Sequence, residues 1–116
     1  DLVNTVREHL TEKNLLSATD KSKPIVDVIG YGHIGDGNLH LNVCVREYSK
    51  VVEEALEPYV YEQVQKYHGS ISAEHGLGFQ KKHAIQYTKN PVELRLIRNM
   101  KKHFDPKGIM NPYKYV

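Results

Sequence analysis

This sequence has few cysteines, no long apolar run and no large excess of one charge sign. One cysteine in 116 residues allows no disulfide framework and no thiolate zinc site. No apolar stretch approaches the length of a membrane-spanning helix. The formal net charge is +2 with both signs interspersed, which gives no reason to expect a nucleic acid or a membrane as partner. The remaining composition, 40% apolar and 26% charged, is that of an ordinary folded domain.

The chain also lacks an initiator methionine. It opens on Asp1, in a stretch whose apolar residues already have helical spacing. We therefore expect residues 1–116 to be one part of a longer protein, with any targeting signal outside them.

Apolar periodicity predicts an alternation of helices and strands. A proline inside the second helix predicts either a kink or the start of a new helix at Pro58. Adding one upstream strand to the order gives βαββαβ, so the predicted class is α+β. The fold would be a ferredoxin-like split βαβ sandwich, incomplete because its first strand lies upstream, with C-terminal helices. The predicted elements are a helix from residue 2, strands at 25–31 and 39–45, a helix at 52–67, a strand at 70–74, helical turns at 82–87 and a helix from 90.

Residues 30–42 form the most informative stretch, a glycine-rich turn between two strand patterns. Asp36-Gly37 favours a two-residue hairpin loop, which would place His33 directly opposite His40 with Cβ atoms roughly 5 Å apart. Two imidazoles at that separation could bind one metal ion. The same stretch matches G-x-G-x-x-G from Gly30, but a strand pattern follows instead of a helix, which argues against a dinucleotide site.

A metal site needs a third ligand, and Glu74 is the best candidate because it ends the next predicted strand. Two imidazoles and one carboxylate leave coordination positions open, as in catalytic sites. His75 would then be a candidate proton acceptor, and Asn42, on the same strand face as His40, a candidate ligand contact. The alternative is that His33 and His40 form only a polar cross-strand pair and that Glu74 caps a turn.

Three motifs connect the chain to a known family. They are Gly32-His-Ile-Gly-Asp-Gly-Asn-Leu-His40, Ser72-Ala-Glu-His-Gly76 and Asp105-Pro-Lys-Gly-Ile-Met-Asn-Pro-Tyr-Lys114. With them the chain resembles the C-terminal part of FAD-linked oxidases, in the branch of D-2-hydroxyglutarate dehydrogenases and fungal D-lactate dehydrogenase-like proteins. The resemblance implies that residues 1–116 are the C-terminal part of the substrate- and metal-binding domain, and that the FAD domain lies outside this chain.

The resemblance also implies a reaction and a role for each site residue. The full-length protein would oxidise a D-2-hydroxy acid, 2-hydroxyglutarate or D-lactate, to the 2-oxo acid. Zn²⁺ would polarise the substrate hydroxyl, and FAD would accept hydride. The implied roles are metal ligation by His33, His40 and Glu74, substrate binding by Asn42 and His75, catalysis by His75, and cofactor contact by Asn111.

Location and partners follow from the same resemblance. It implies a mitochondrial protein, with the cytoplasm as the alternative, a small-molecule partner, and a homodimer among the expected assemblies. The electron acceptor stays open. The competing hypothesis is a non-catalytic interaction module, for example an actin-associated one, with a structural metal or none. A structural metal would have a fourth protein ligand, and chelation would unfold the domain.

Overall fold

A computed structural model describes residues 1–72 and 74–116. The described residues form two compact units, residues 1–60 and residues 61–116. Helices and strands both occur, which confirms the α+β class. The elements are α1 (Leu2–Glu12), β1 (Ile25–His33), β2 (Asn38–Val45), α2 (Lys50–Lys66), a 3-10 helix (Lys82–Tyr87) and α3 (Pro91–Phe104).

The first unit has its core where α1 meets the sheet. Val6 and Leu10 lie one helical turn apart, on one face of α1, and both are fully buried. They pack with Val28 of β1 and Val52 of α2, and Ile25 completes the cluster. Four fully buried aliphatic side chains of this size stabilise the unit by about 1.5–3 kcal/mol each relative to exposure.

The sheet is an antiparallel hairpin whose two faces differ in character. Val28, Leu41 and Val43 lie on the face that packs against the core. The residues between them lie on the opposite face, because successive side chains of a pleated strand point to opposite sides of the sheet. The period-two pattern of residues 39–45 therefore predicted the strand correctly and its buried face in part, because Leu41 and Val43 pack against the core while Leu39 and Val45 are exposed.

The predicted hairpin loop is wrong in length. His33 pairs with Asn38 and Tyr31 with His40, so the loop holds the four residues 34–37 instead of Asp36-Gly37 alone. The Gly37 N–H donates to the His33 carbonyl at 3.1 Å, and the Asn38 N–H donates to the Asp36 carboxylate at 3.1 Å. This side-chain hydrogen bond stabilises the longer loop, a role that Asp often has in turns. Strands β1 and β2 lie on the two sides of this glycine-rich turn, and no helix begins there.

Helix α2 runs through Pro58 as a single helix. A second helix starting there, one of the two predicted alternatives, is therefore wrong. Pro58 is exposed, and its missing N–H removes one hydrogen bond from the helix. The helix ends at Lys66, where the Gly69 N–H donates to the Val64 carbonyl at 2.9 Å and His68 adopts a left-handed conformation.

The predicted strand at residues 70–74 is also wrong for the residues that the structure describes there; Ala73 lies outside them. The Ile71 N–H donates to the Thr88 hydroxyl at 3.3 Å, a side chain and not a neighbouring strand. A short segment with two serines does not hold a strand conformation unless its backbone groups form hydrogen bonds with a neighbouring strand. The βαββαβ order thus lacks its last strand among the described residues, and the ferredoxin-like arrangement stays a prediction.

The second unit also contains the 3-10 helix and α3, both predicted. Ala84 and Ile85 of the 3-10 helix are buried with Tyr61, and the Tyr61 ring lies 5.8 Å from the Tyr87 ring. Helix α3 begins at the predicted capping box: the Asn90 side chain accepts from two backbone N–H groups, and Glu93 reaches back to the Asn90 N–H at 2.8 Å. No helix of the described residues is long and apolar enough to cross a membrane.

Candidate metal and substrate site

The hairpin face opposite the core carries the polar side chains of the first motif. The register places His33, His40 and Asn42 on it, because a shift of two residues from the predicted pairing preserves the face of every side chain. The prediction that these residues share a face therefore stands, although the prediction that His33 lies directly opposite His40 does not. The complete set on this face is Asp27, Ile29, Tyr31, His33, Asn38, His40, Asn42 and Cys44.

His33 and His40 are diagonal neighbours across the two strands. Their ring centroids lie 6.3 Å apart, with the planes tilted by 55°. Two imidazoles on one tetrahedral zinc, with Zn–N bonds of about 2.1 Å, have centroids about 5 Å apart. The observed separation is about 1 Å longer than that value. The pair therefore fits as two of the donors of a metal ion.

Tyr31 is the residue directly opposite His40. The two rings are stacked, with centroids 5.3 Å apart and planes within 7° of parallel. Sequence reasoning missed this contact because the predicted register paired His40 with His33. The alternation of Tyr31 and His33 along β1 was the available signal, since it already placed both side chains on one face.

Two glycines hold the strands and helix α1 close together behind this face. A Cβ atom on Gly32 would lie 1.8 Å from the Asn38 carbonyl oxygen, inside the neighbouring backbone. A Cβ atom on Gly30 would lie 2.4 Å from a methyl of Val3 in α1. Gly30 and Gly32 are thus required by close packing, and they fix the part of β1 that carries Tyr31 and His33.

Glu74 and His75 lie in the second unit, in an exposed turn segment. The His75 Nε2 atom lies 3.5 Å from a carboxylate oxygen of Glu74. Gly76 and Gly78 follow in left-handed conformations, so the chain turns sharply after the pair. The structure thus brings the carboxylate and the imidazole of the second motif side by side.

The described residues, all but Ala73, contain no group of three His, Cys, Asp or Glu side chains spaced to hold a metal ion. The structure brings His33, His40 and Asn42 together on the hairpin, and it pairs Glu74 with His75. The predicted ligand set of His33, His40 and Glu74 therefore stays a prediction.

Asn111, the residue implied to contact the cofactor, lies in the C-terminal turn segment. It adopts a left-handed conformation with φ of 49°. Asp105 organises the segment before it, because its carboxylate accepts from the Ile109 N–H at 3.0 Å and from the Met110 N–H at 2.7 Å. The Lys101 ammonium donates to the Lys114 carbonyl and holds the end of the chain against α3.

Comparisons with known proteins give a consistent family. Residues 1–115 match the family model of FAD linked oxidases, C-terminal domain. A D-2-hydroxyglutarate–pyruvate transhydrogenase of Saccharomyces cerevisiae is 51% identical over 111 residues, 96% of this chain and 22% of that protein. A Schizosaccharomyces pombe protein, provisionally named a mitochondrial D-lactate dehydrogenase, is 54% identical over 116 residues, 100% of this chain and 22% of that protein.

A third relative is the mitochondrial D-2-hydroxyglutarate dehydrogenase of Rattus norvegicus. It is 56% identical over 87 residues, 75% of this chain and 16% of that protein. The chain thus spans about a fifth of the length of the curated relatives that it matches.

Proposed function

The chain belongs to the family of FAD-linked oxidases, as a C-terminal domain, and we propose that the full-length protein is an FAD-dependent dehydrogenase acting on a D-2-hydroxy acid. The substrate would be D-2-hydroxyglutarate or D-lactate, and the product the 2-oxo acid. The observation that carries the proposal is the common face of His33, His40 and Asn42. The names of the relatives supply the substrate class.

The proposed metal ligands are His33, His40 and Glu74. The proximity of the two imidazoles, 6.3 Å between centroids, supports the first two. Glu74 is supported by donor chemistry and by its position beside His75. A divalent metal, when bound, supplies Lewis acidity toward the substrate carboxylate and hydroxyl, and FAD, when bound, supplies a two-electron acceptor.

The remaining steps belong to side chains of this chain. Asn42, one pleat beyond His40 on the same face, would donate a hydrogen bond to a carboxylate of the substrate. His75 would accept the proton of the C2 hydroxyl at its Nε2 atom as the hydrogen on C2 departs with both electrons.

Location, assembly and cofactor contact complete the proposal. The proposed location is the mitochondrion, because two of the three relatives carry that location in their names. Asn111 as a contact to FAD and a homodimer stay predictions. Pyruvate is the first electron acceptor to try, since the budding-yeast relative is named a transhydrogenase with pyruvate.

Anaerobic reduction of the bound flavin tests the proposal. We expect D-2-hydroxyglutarate or D-lactate to bleach the flavin absorbance of the full-length protein, and the matching L-acid to leave it unchanged. Pyruvate should then reoxidise the reduced flavin if the reaction is a transhydrogenation. A full-length protein that binds FAD but is reduced by neither D-acid contradicts the proposed substrate class. A protein that binds no flavin favours the interaction module.

A further inference from the structure

Tyr31, whose ring stacks on the proposed metal ligand His40, has no part in the reaction proposed above. The two residues are direct partners across the hairpin, and their rings are parallel within 7° at 5.3 Å between centroids. That distance lies in the range of attractive offset stacking. Stacking of this kind restricts an imidazole that would otherwise sample several rotamers.

We propose that Tyr31 is a positioning residue that holds the imidazole of His40 in orientation for metal binding. The inference rests on the proposed function in one respect, because it takes His40 as a metal ligand. A ligand held in place before the metal arrives loses less rotamer freedom on binding. Groups that orient a ligand from outside the coordination shell tune metal affinity in the same way.

The local architecture supports a fixed position for Tyr31. Gly30 and Gly32 flank it, and neither has room for a Cβ atom. β1 is therefore held tightly against α1 and β2 at this point, and the side chain of Tyr31 leaves from a well-defined backbone on the face opposite the core. The centroid of the His33 ring lies 6.3 Å from that of the His40 ring. Tyr31 therefore stacks on one imidazole that has the second imidazole close beside it.

The stacking ring, and not the hydroxyl, is the feature that matters in this proposal. Tyr31→Phe keeps the aromatic face and should preserve the orientation of His40. Tyr31→Leu keeps apolar bulk but removes the stacking ring. Tyr67→Leu is the matched control, because Tyr67 is 57% exposed compared with 61% for Tyr31 and lies outside the hairpin.

The first experiment observes the stack without any metal. In metal-free full-length protein labelled at histidine, the His40 ring protons are assigned by their loss in His40→Gln. We expect an upfield ring-current shift that persists in Tyr31→Phe and Tyr67→Leu and disappears in Tyr31→Leu. Unchanged His40 shifts in Tyr31→Leu would overturn the proposal.

The second experiment measures zinc affinity by competition with a chelator. We expect Tyr31→Leu to bind zinc about threefold to tenfold more weakly, the range that corresponds to an aromatic pair, and Tyr31→Phe and Tyr67→Leu to stay within about twofold of wild type. The Co²⁺-substituted protein should show an altered visible spectrum in Tyr31→Leu alone. Equal affinity in Tyr31→Leu and wild type, or equal weakening in Tyr31→Phe, overturns the positioning role. Wild-type protein that binds no zinc overturns the metal part of the proposed function instead, and the positioning role with it.

Discussion

Gly32 shows how a single residue can decide the geometry of this site. Its missing side chain lets the Asn38 backbone approach to a distance that no Cβ atom tolerates. The observed register places Tyr31 opposite His40 and leaves His33 on the diagonal. At the residue scale, the site therefore depends on the absence of a methyl group as much as on the two imidazoles.

We expect Gly32→Ala to lower the free energy of unfolding by about 2–3 kcal/mol, because the added Cβ atom meets backbone that cannot rotate away. Gly35→Ala is the matched control, since a Cβ atom there meets nothing within 4 Å. Denaturant unfolding of the full-length variants measures the difference. Equal stability of the two variants would mean that the strands separate easily at Gly32.

Asn42→Ala should lower kcat/KM about tenfold to a hundredfold, the range for losing one hydrogen bond to a charged group. Asn99→Ala serves as control, because Asn99 is an exposed residue of α3. Steady-state kinetics of the flavoprotein with D-2-hydroxyglutarate and with D-lactate provide the measurement. A kcat/KM unchanged for both acids would remove Asn42 from the substrate site.

At the element scale, local sequence signals predicted some elements well and others badly. The capping residues of α3 and the period-two pattern of β2 act over three to seven residues, so they are readable in the sequence and are present in the structure. The hairpin loop depended on a competition between two turn lengths, and the Asp36 hydrogen bond to the Asn38 N–H favours the longer one. The strand at 70–74 needed a partner from elsewhere in the chain, which local pattern does not report.

We expect Asn90→Ala to destabilise α3 by about 1 kcal/mol, because the substitution leaves two N–H groups of the first turn without their acceptor. Glu93→Gln should cost much less, since an amide oxygen can still accept from the Asn90 N–H. Hydrogen exchange of amides in the first turn of α3 measures both effects. Faster exchange in Glu93→Gln than in Asn90→Ala would contradict the importance of the Asn90 cap.

At the scale of the whole molecule, the two units hold different parts of the predicted site. Residues 1–60 include His33, His40 and Asn42, and residues 61–116 include Glu74, His75 and Asn111. Motif resemblance assigns these residues to the site, and that assignment stays a prediction. The alternation along the hairpin predicted the common face of His33, His40 and Asn42, which the register confirms. The stack of Tyr31 on His40 could not be predicted, because a register that is wrong by two residues changes every directly opposed pair.

The metal part of the proposed function is that His33, His40 and Glu74 hold one divalent metal that substrate oxidation requires. Elemental analysis of the purified full-length protein, with flavin content measured in the same samples, tests it most directly. We predict about one zinc per chain in wild type, and loss of zinc with retention of FAD in both His40→Ala and Glu74→Ala. Full zinc occupancy in either variant, or wild-type protein that turns over without any metal, would contradict the claim.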